Sequence, residues 1–213
     1  MQHRVFMTGG TGYIGCRLIP VLIERGHDVT ALVRDGSRTK IKAPCEILIG
    51  NALDGGSYSA HLTGHDTLIH LVGVPHPSPA KAREFVEIDL RSAREAIKAA
   101  SSAGIRHFIY VSVAHPAPVM KAYTHVRAEC EAYLRASGLN ATILRPWYVL
   151  GPGHRWPLIL KPFYRAAELV PSLREDTALG LTHYRPDDSG TGRGNGTAST
   201  GHQGPRRSRN SQA

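Results

Sequence analysis

One stretch constrains the chain more than any other: His-Arg-Val-Phe-Met-Thr-Gly-Gly-Thr-Gly-Tyr-Ile-Gly, residues 3–15. Val5, Phe6 and Met7 form a short apolar run, the Gly-rich turn Thr8 to Gly12 follows at once, and an amphipathic stretch begins at Ile14. That order is strand, tight turn, helix N-terminus. The turn fits Gly10-x-Gly12-x-x-Gly15 and Thr8-Gly9-x-x-Gly12-x-x-Gly15 together. One glycine permits the sharp turn, one lets backbone approach a pyrophosphate where a Cβ would clash, and Gly15 is expected to bring the helix close to the sheet. The first helical N–H groups and the positive end of the helix dipole would face the phosphates. Because the string sits between a strand and a helix, residues Thr8, Gly9, Gly10, Thr11, Gly12, Tyr13, Ile14 and Gly15 are expected to bind a dinucleotide.

Hydrophobic patterning extends this unit into an alternation. Apolar residues Ile14, Leu18, Val21 and Leu22 recur at helical spacing, Gly26 stops that helix, and Pro20 is expected to bend it. Strands are expected within 28–34, 46–49, 67–72, 107–111 and 141–144, a helical turn at 58–62, and helices at 80–103 and 120–137. Six strands alternating with helices predict an α/β, doubly wound, mostly parallel sheet of Rossmann type. Residues 1–160 are expected to form the NAD(P)-binding domain and 161–181 a partial substrate segment. Residues 182–213 are expected to be a disordered tail.

Bulk properties exclude several classes. The chain has 213 residues, 41% of them apolar, enough for a core and with no run long enough to span a membrane. It opens on a strand without an apolar leader, and Cys16, Cys45 and Cys130 are too few and too scattered for a disulfide or zinc framework. A cytoplasmic protein is expected. Part of the +9 net charge lies in the tail, in Arg185, Arg193, Arg206, Arg207 and Arg209 against Asp187 and Asp188. The rest is scattered, without a basic helix face, so nucleic acid is not the expected partner. The histidines number 12, yet His61, His65 and His70 run from a helical turn into a buried strand and cannot share one face, so no metal is expected.

The pieces together resemble the atypical, NmrA-like and complex-I-subunit-like branch of the extended short-chain dehydrogenase/reductases. The matching segments are Thr8–Gly15, Leu32-Val33-Arg34-Asp35, His70-Leu71-Val72-Gly73, Tyr110-Val111-Ser112, and Leu144-Arg145-Pro146-Trp147 with Gly151-Pro152-Gly153. The resemblance covers residues 1 to about 160. It implies an extended NAD(P) over the strand ends, contacts from Val72, Gly73 and Pro146, an adenine contact near Asn51 and Ala52, and a small C-terminal substrate domain. The usual acid after the third strand is replaced here by Asn51.

At the end of the second strand stands Arg34, where an NAD-preferring fold places an acid. A guanidinium suits a ribose 2′-phosphate, so NADP(H) is the preferred cofactor, with Arg38 and Lys40 assisting. NAD(H) is the alternative, through Asp35. The resemblance also implies a Ser, Tyr and Lys catalytic set in which Ser112 and Tyr123 match, while Arg127 stands where the lysine belongs. Tyr123 and Arg127 are i,i+4 and share a helix face. Tyr123, Val126, Cys130 and Tyr133 also form a stripe that would serve as core. His115, His125, Trp147, Trp156, Arg145 and Arg155 flank the expected cleft.

Two functions follow. One is an NADP(H)-dependent oxidoreductase or epimerase-like enzyme acting on a carbonyl or quinone. The other is a non-catalytic dinucleotide sensor or assembly factor working through a protein partner. The tail has two readings as well. It is a native disordered segment, or it is a frameshifted terminus, since codon degeneracy from about residue 182 permits a one-nucleotide-shifted reading with the helix, turn and strand that relatives have.

Overall fold

A computed structural model describes residues 1–113 and 120–146, together with the backbone of 181–184. Six parallel strands form the sheet: β1 (Arg4–Thr8), β2 (Asp28–Val33), β3 (Glu46–Ile49), β4 (Thr67–His70), β5 (His107–Val111) and β6 (Ala141–Leu144). A seventh, β7 (Leu181–Tyr184), pairs antiparallel with β6. The order is β3-β2-β1-β4-β5-β6-β7, so the chain reverses direction across the sheet between β3 and β4. The crevice at that switch point, beside β1 and β4, is where such sheets hold ligands. The doubly wound, mostly parallel sheet matches the sequence expectation.

Alternation along β1 sorts the core into two layers. Val5 and Met7 face the helix α1 (Gly15–Glu24) and pack with Ile19, Ala31 and Ile69. Phe6 points to the opposite face and packs with Leu68, Phe108, Ala96 and Ala100. The second face is covered by α3 (Arg91–Ala103) and α4 (Lys121–Ala136). Small side chains Ser92, Ala93, Ala96 and Ala100 are buried on α3, which lets its backbone approach the sheet. Gly104 ends α3 at φ 68°, and the Ile105 N–H returns to the Ala100 carbonyl at 3.0 Å, so the helix stops where the buried Ile105 can enter the core.

Three differences from the sequence expectation stand out. The stretch expected to be one helix over 80–103 is interrupted: α2 (Ala82–Glu84) leads into a π-helical segment, Phe85–Leu90, before α3 begins. Tyr133 is 41% exposed, so the stripe Tyr123–Val126–Cys130–Tyr133 enters the core only in part. A strand occupies Leu181–Tyr184, where periodicity predicted none, so the tail expected from 182 starts inside a strand. The rest of that tail, and the segment 161–180, lie outside the described residues. No helix among the described residues is long and apolar enough to cross a membrane.

Candidate dinucleotide site

The glycine turn is built from its own backbone. Gly9 has φ 74°, and a Cβ there would stand 2.7 Å from the Leu71 carbonyl carbon, so the turn is pressed against the segment after β4. The Gly12 N–H closes on the Gly9 carbonyl at 3.0 Å, and the Cys16 N–H bonds the Gly12 carbonyl at 3.0 Å. A Cβ at Gly15 would fall 2.5 Å from Gly10 Cα. Gly15 therefore folds the helix start onto the turn itself, where sequence reasoning expected an approach to the sheet. Gly12 is different: it is exposed, and its missing Cβ would meet nothing nearer than the Gly9 carbonyl at 3.2 Å. Its open side leaves room for a group to approach the backbone closely. Tyr13 lies beside it under Arg17, whose guanidinium carbon sits 3.7 Å from the ring centroid.

Arg34 follows β2 at the same edge. Thr8 pairs in register with Leu32, so Arg34 projects two residues beyond the start of the turn. Arg34 is exposed, and its carbonyl accepts the Ser37 N–H at 2.8 Å to open a 3-10 turn over Asp35–Lys40. Among the described residues no carboxylate pairs with Arg34, Arg38 or Lys40. Asn51 holds its own loop, since its Oδ1 accepts the Leu53 N–H at 3.0 Å, while Ala52 packs against the core. Val72, Gly73 and Pro146 are half-buried at the ends of β4 and β6.

The candidate catalytic residues meet a buried network that the sequence did not reveal. Arg127 is buried and its Nη2 lies 2.5 Å from Asp89 Oδ1. Its Nη1 donates to the Tyr110 hydroxyl and to the Val111 carbonyl, each at 3.1 Å. The guanidinium carbon sits 5.1 Å from the centroid of the Tyr123 ring, which also packs on Phe85 at 4.9 Å. Asp89 in turn accepts the Val74 N–H at 3.0 Å. A Cβ at Gly73 would collide with the Arg127 guanidinium, so this glycine has a reason within the protein itself. Burial works against the Arg127 charge, but the facing Tyr110, Tyr123 and Asp89 raise its pKa above the ordinary arginine value. Burial pushes Asp89 upward, partly offset by Arg127 and the Val74 N–H.

Ser112 follows β5 and is buried, and its hydroxyl has no hydrogen-bond partner among the described residues; Arg145 and Arg135 counter the burial of Glu131 and hold that carboxylate below the ordinary range. Arg145 grips Glu131 through both Nε, at 2.9 Å, and Nη2. Glu131 thus ties the end of β6 to α4. At the base of the turn, Thr8 Oγ1 lies 2.8 Å from His70 Nδ1, and Ser92 Oγ lies 3.3 Å from His70 Nε2. Burial, reinforced by the charge of Arg127, lowers the His70 pKa to about 3, so the ring is neutral. Its neighbours in sequence go elsewhere: His61 is exposed and His65 Nε2 meets Thr30 Oγ1 at 2.9 Å. No group of metal-ligating side chains occurs among the described residues. His115, Trp147, Arg155, Trp156 and Gly151–Gly153 lie outside them.

Sequence reasoning missed Asp89, and a signal for it existed. Phe85, Asp89, Ala93 and Ile97 recur at spacing four, which places an acid in the buried stripe of a helix. Such an acid requires a buried cation.

A family model described as NAD(P)H-binding matches residues 9–155 of the chain. An uncharacterized sugar epimerase of Bacillus subtilis is 32% identical over 154 residues, covering 67% of this chain and 71% of that protein. The ceramide reductase of Caulobacter vibrioides is 27% identical, covering 84% of the chain and 56% of its own length. A 3-beta-hydroxysteroid dehydrogenase of Mycolicibacterium neoaurum is 25% identical over 51% of the chain and 31% of its own length. The chain therefore spans about a third to just over half of the last two. Among solved structures, MoeE5 in complex with UDP-glucose and NAD aligns with a TM-score of 0.61 at 22% identity, covering 76% of this chain and 60% of that one. The Bordetella bronchiseptica enzyme WbmH in complex with NAD+ aligns with a TM-score of 0.59 at 21% identity, covering 78% and 64%. At these identities the two structures share the fold.

Proposed function

The chain belongs to the NAD(P)H-binding family, a Rossmann group related to NmrA-like proteins and the short-chain dehydrogenase/reductases, and from that membership we propose an NADP(H)-dependent oxidoreductase or epimerase-like enzyme acting on a small carbonyl or quinone substrate. The observation that carries the proposal is the open side of Gly12 together with the exposed Arg34, Arg38 and Lys40, none of them in an ion pair among the described residues although Asp35 lies between them in sequence. The nicotinamide cofactor, when bound, supplies or accepts a hydride. The open side of the turn at Gly12 and the positive end of the α1 dipole would hold the pyrophosphate. Arg34 takes the 2′-phosphate through a charge-assisted contact. Tyr123 is proposed as the proton donor at its phenol oxygen. Arg127 holds a positive charge 5.1 Å from the Tyr123 ring centroid, but no proton moves through it because a guanidinium stays charged. Ser112 is proposed to orient the substrate oxygen.

The non-catalytic sensor is favoured by one specific observation. Arg127 is committed to Asp89, Tyr110 and Val111, so the cation at the lysine position serves the fold. Titration with NADPH and NADH, followed by turnover with a panel of quinones and small carbonyls, separates the two. Tight binding with turnover supports the enzyme. Tight binding with no turnover across the panel supports the sensor, and binding of neither cofactor overturns both.

A further inference from the structure

The N-terminal ends of the strands carry a second concavity, at the opposite end of the sheet from the glycine turn. β1 runs from Arg4 to Thr8, so the two ends lie about 13 Å apart along the strand. The cavity measures about 390 Å³. Three consecutive neighbours in the sheet bring a charge to it: Arg4 at the start of β1, Asp28 at the start of β2 and Glu46 at the start of β3.

These charges are held apart. Arg4 and Asp28 are register partners, yet no ion pair joins them. The Arg4 guanidinium lies over Gly64, where a Cβ would stand 2.7 Å from its Nη1. Asp28 accepts from the Gln2 amide at 3.1 Å through Oδ2. Glu46 accepts from the Thr30 hydroxyl at 2.8 Å through Oε2, and the same hydroxyl oxygen lies 2.9 Å from His65 Nε2. Thr30 is 6% exposed, so this polar chain fixes the carboxylate from below. Each acid keeps a second oxygen without a partner among the described residues. Ile23, Val29 and Pro44 add an apolar wall.

One guanidinium against two carboxylates leaves the cavity negative within a chain of net charge +9. That balance opposes a phosphate or a second dinucleotide. It suits a ligand that brings a cation to the acids, a carboxylate to Arg4 and an aliphatic stem to the wall. We infer that this cavity is a second ligand site, for a small aliphatic zwitterion of the free amino-acid class. Its ammonium lies between Asp28 and Glu46, its carboxylate pairs with Arg4, and its side chain rests on Ile23 and Val29. The site stands independently of the dinucleotide reading.

Calorimetry or ligand-observed NMR on the full chain tests it with three probes: L-leucine, isoamylamine carrying the cation alone, and isocaproate carrying the anion alone. L-Leucine should bind saturably, and each single-charge probe about tenfold or more weaker, as expected when a charge-assisted contact is lost. Arg4→Ala and Asp28→Asn should each weaken L-leucine about tenfold, while the circular dichroism spectrum and thermal unfolding stay unchanged and report an intact fold. Asp28 is exposed, so Asp28→Asn decides the matter if Arg4→Ala fails to fold. No saturable L-leucine binding overturns the inference. So does binding indifferent to Asp28→Asn, or isoamylamine binding as tightly as L-leucine.

Discussion

Arg127 on α4 lies 2.5 Å from Asp89 in the π-helical segment, and the two side chains are 7% and 0% exposed. The pair joins elements that flank the C-terminal ends of β4 and β5. Its reach extends through the Val74 N–H to the segment after β4, and through the Val111 carbonyl to β5. π-Helical turns recur at functional sites because the wider turn re-aims a side chain. Here the side chain concerned is Asp89, the carboxylate that makes a buried guanidinium tolerable.

Asp89→Ala should therefore destabilise the domain by about 3–5 kcal/mol, the usual consequence of leaving one buried charge alone. Denaturant unfolding measures it. A loss below about 1 kcal/mol, the range of an exposed pair, would mean that water reaches Arg127 freely.

Glu131 makes the pH prediction. Its folded pKa is depressed: burial opposes ionisation, but Arg145 and Arg135 outweigh it. A depressed carboxylate contributes stability that is complete above its ordinary pKa and is lost as pH falls through the folded value. Glu131→Gln should thus destabilise by about 1.5–3 kcal/mol near neutrality, with the gap closing below about pH 4. Unfolding free energies of both proteins across that range give the answer, and a gap independent of pH would rule out the charged contact.

The sequence displayed what repeats locally. Glycine spacing marks the turn, short apolar runs mark the strands, and Gly104 and Gly138 mark helix ends. It did not display what depends on packing across the sheet. Arg127 read as a substituted lysine because its partner is 38 residues away, brought into line by a π segment with no local signature. Sequence spacing points Gly15 at the sheet because spacing alone cannot tell which backbone a missing Cβ would strike. β7 escapes because Leu181-Thr182-His183-Tyr184 carries no apolar run and its pairing is with β6 alone.

The glycines of the turn should separate binding from folding. Gly12→Val fills the exposed cradle, so NADPH and NADH affinity should collapse while the circular dichroism of the domain persists. Gly15→Ala drives a Cβ into the Gly10 backbone, so it should lower stability as well as binding. Equal thermal stability of Gly15→Ala and the parent would show that the turn relaxes without loss.

Cofactor choice rests on Arg34. Arg34→Ala should remove a charge-assisted contact of about 1.5–3 kcal/mol, weakening NADPH roughly tenfold to a hundredfold. NADH binding should hardly change. Equal losses for the two cofactors, measured by fluorescence titration, would assign Arg34 to the shared part of the dinucleotide.

Chemistry turns on Tyr123 and Arg127 together. Tyr123→Phe should abolish turnover and spare cofactor binding if the phenol donates a proton, and should leave any activity nearly intact if the ring serves only to pack on Phe85. Arg127→Lys restores the family pattern, and the sequence alone predicts a gain in activity from it. The packing predicts the reverse. A lysine has one nitrogen to serve Asp89, the Tyr110 hydroxyl and the Val111 carbonyl, which now share two guanidinium nitrogens. It would also leave part of the guanidinium volume empty over Gly73. Arg127→Lys should therefore lower stability by about 1–3 kcal/mol, the range for unsatisfied buried polar groups. Turnover, if present in the parent, should fall with it. A stable Arg127→Lys protein with raised turnover would mean that the guanidinium occupies the lysine's place without serving the fold.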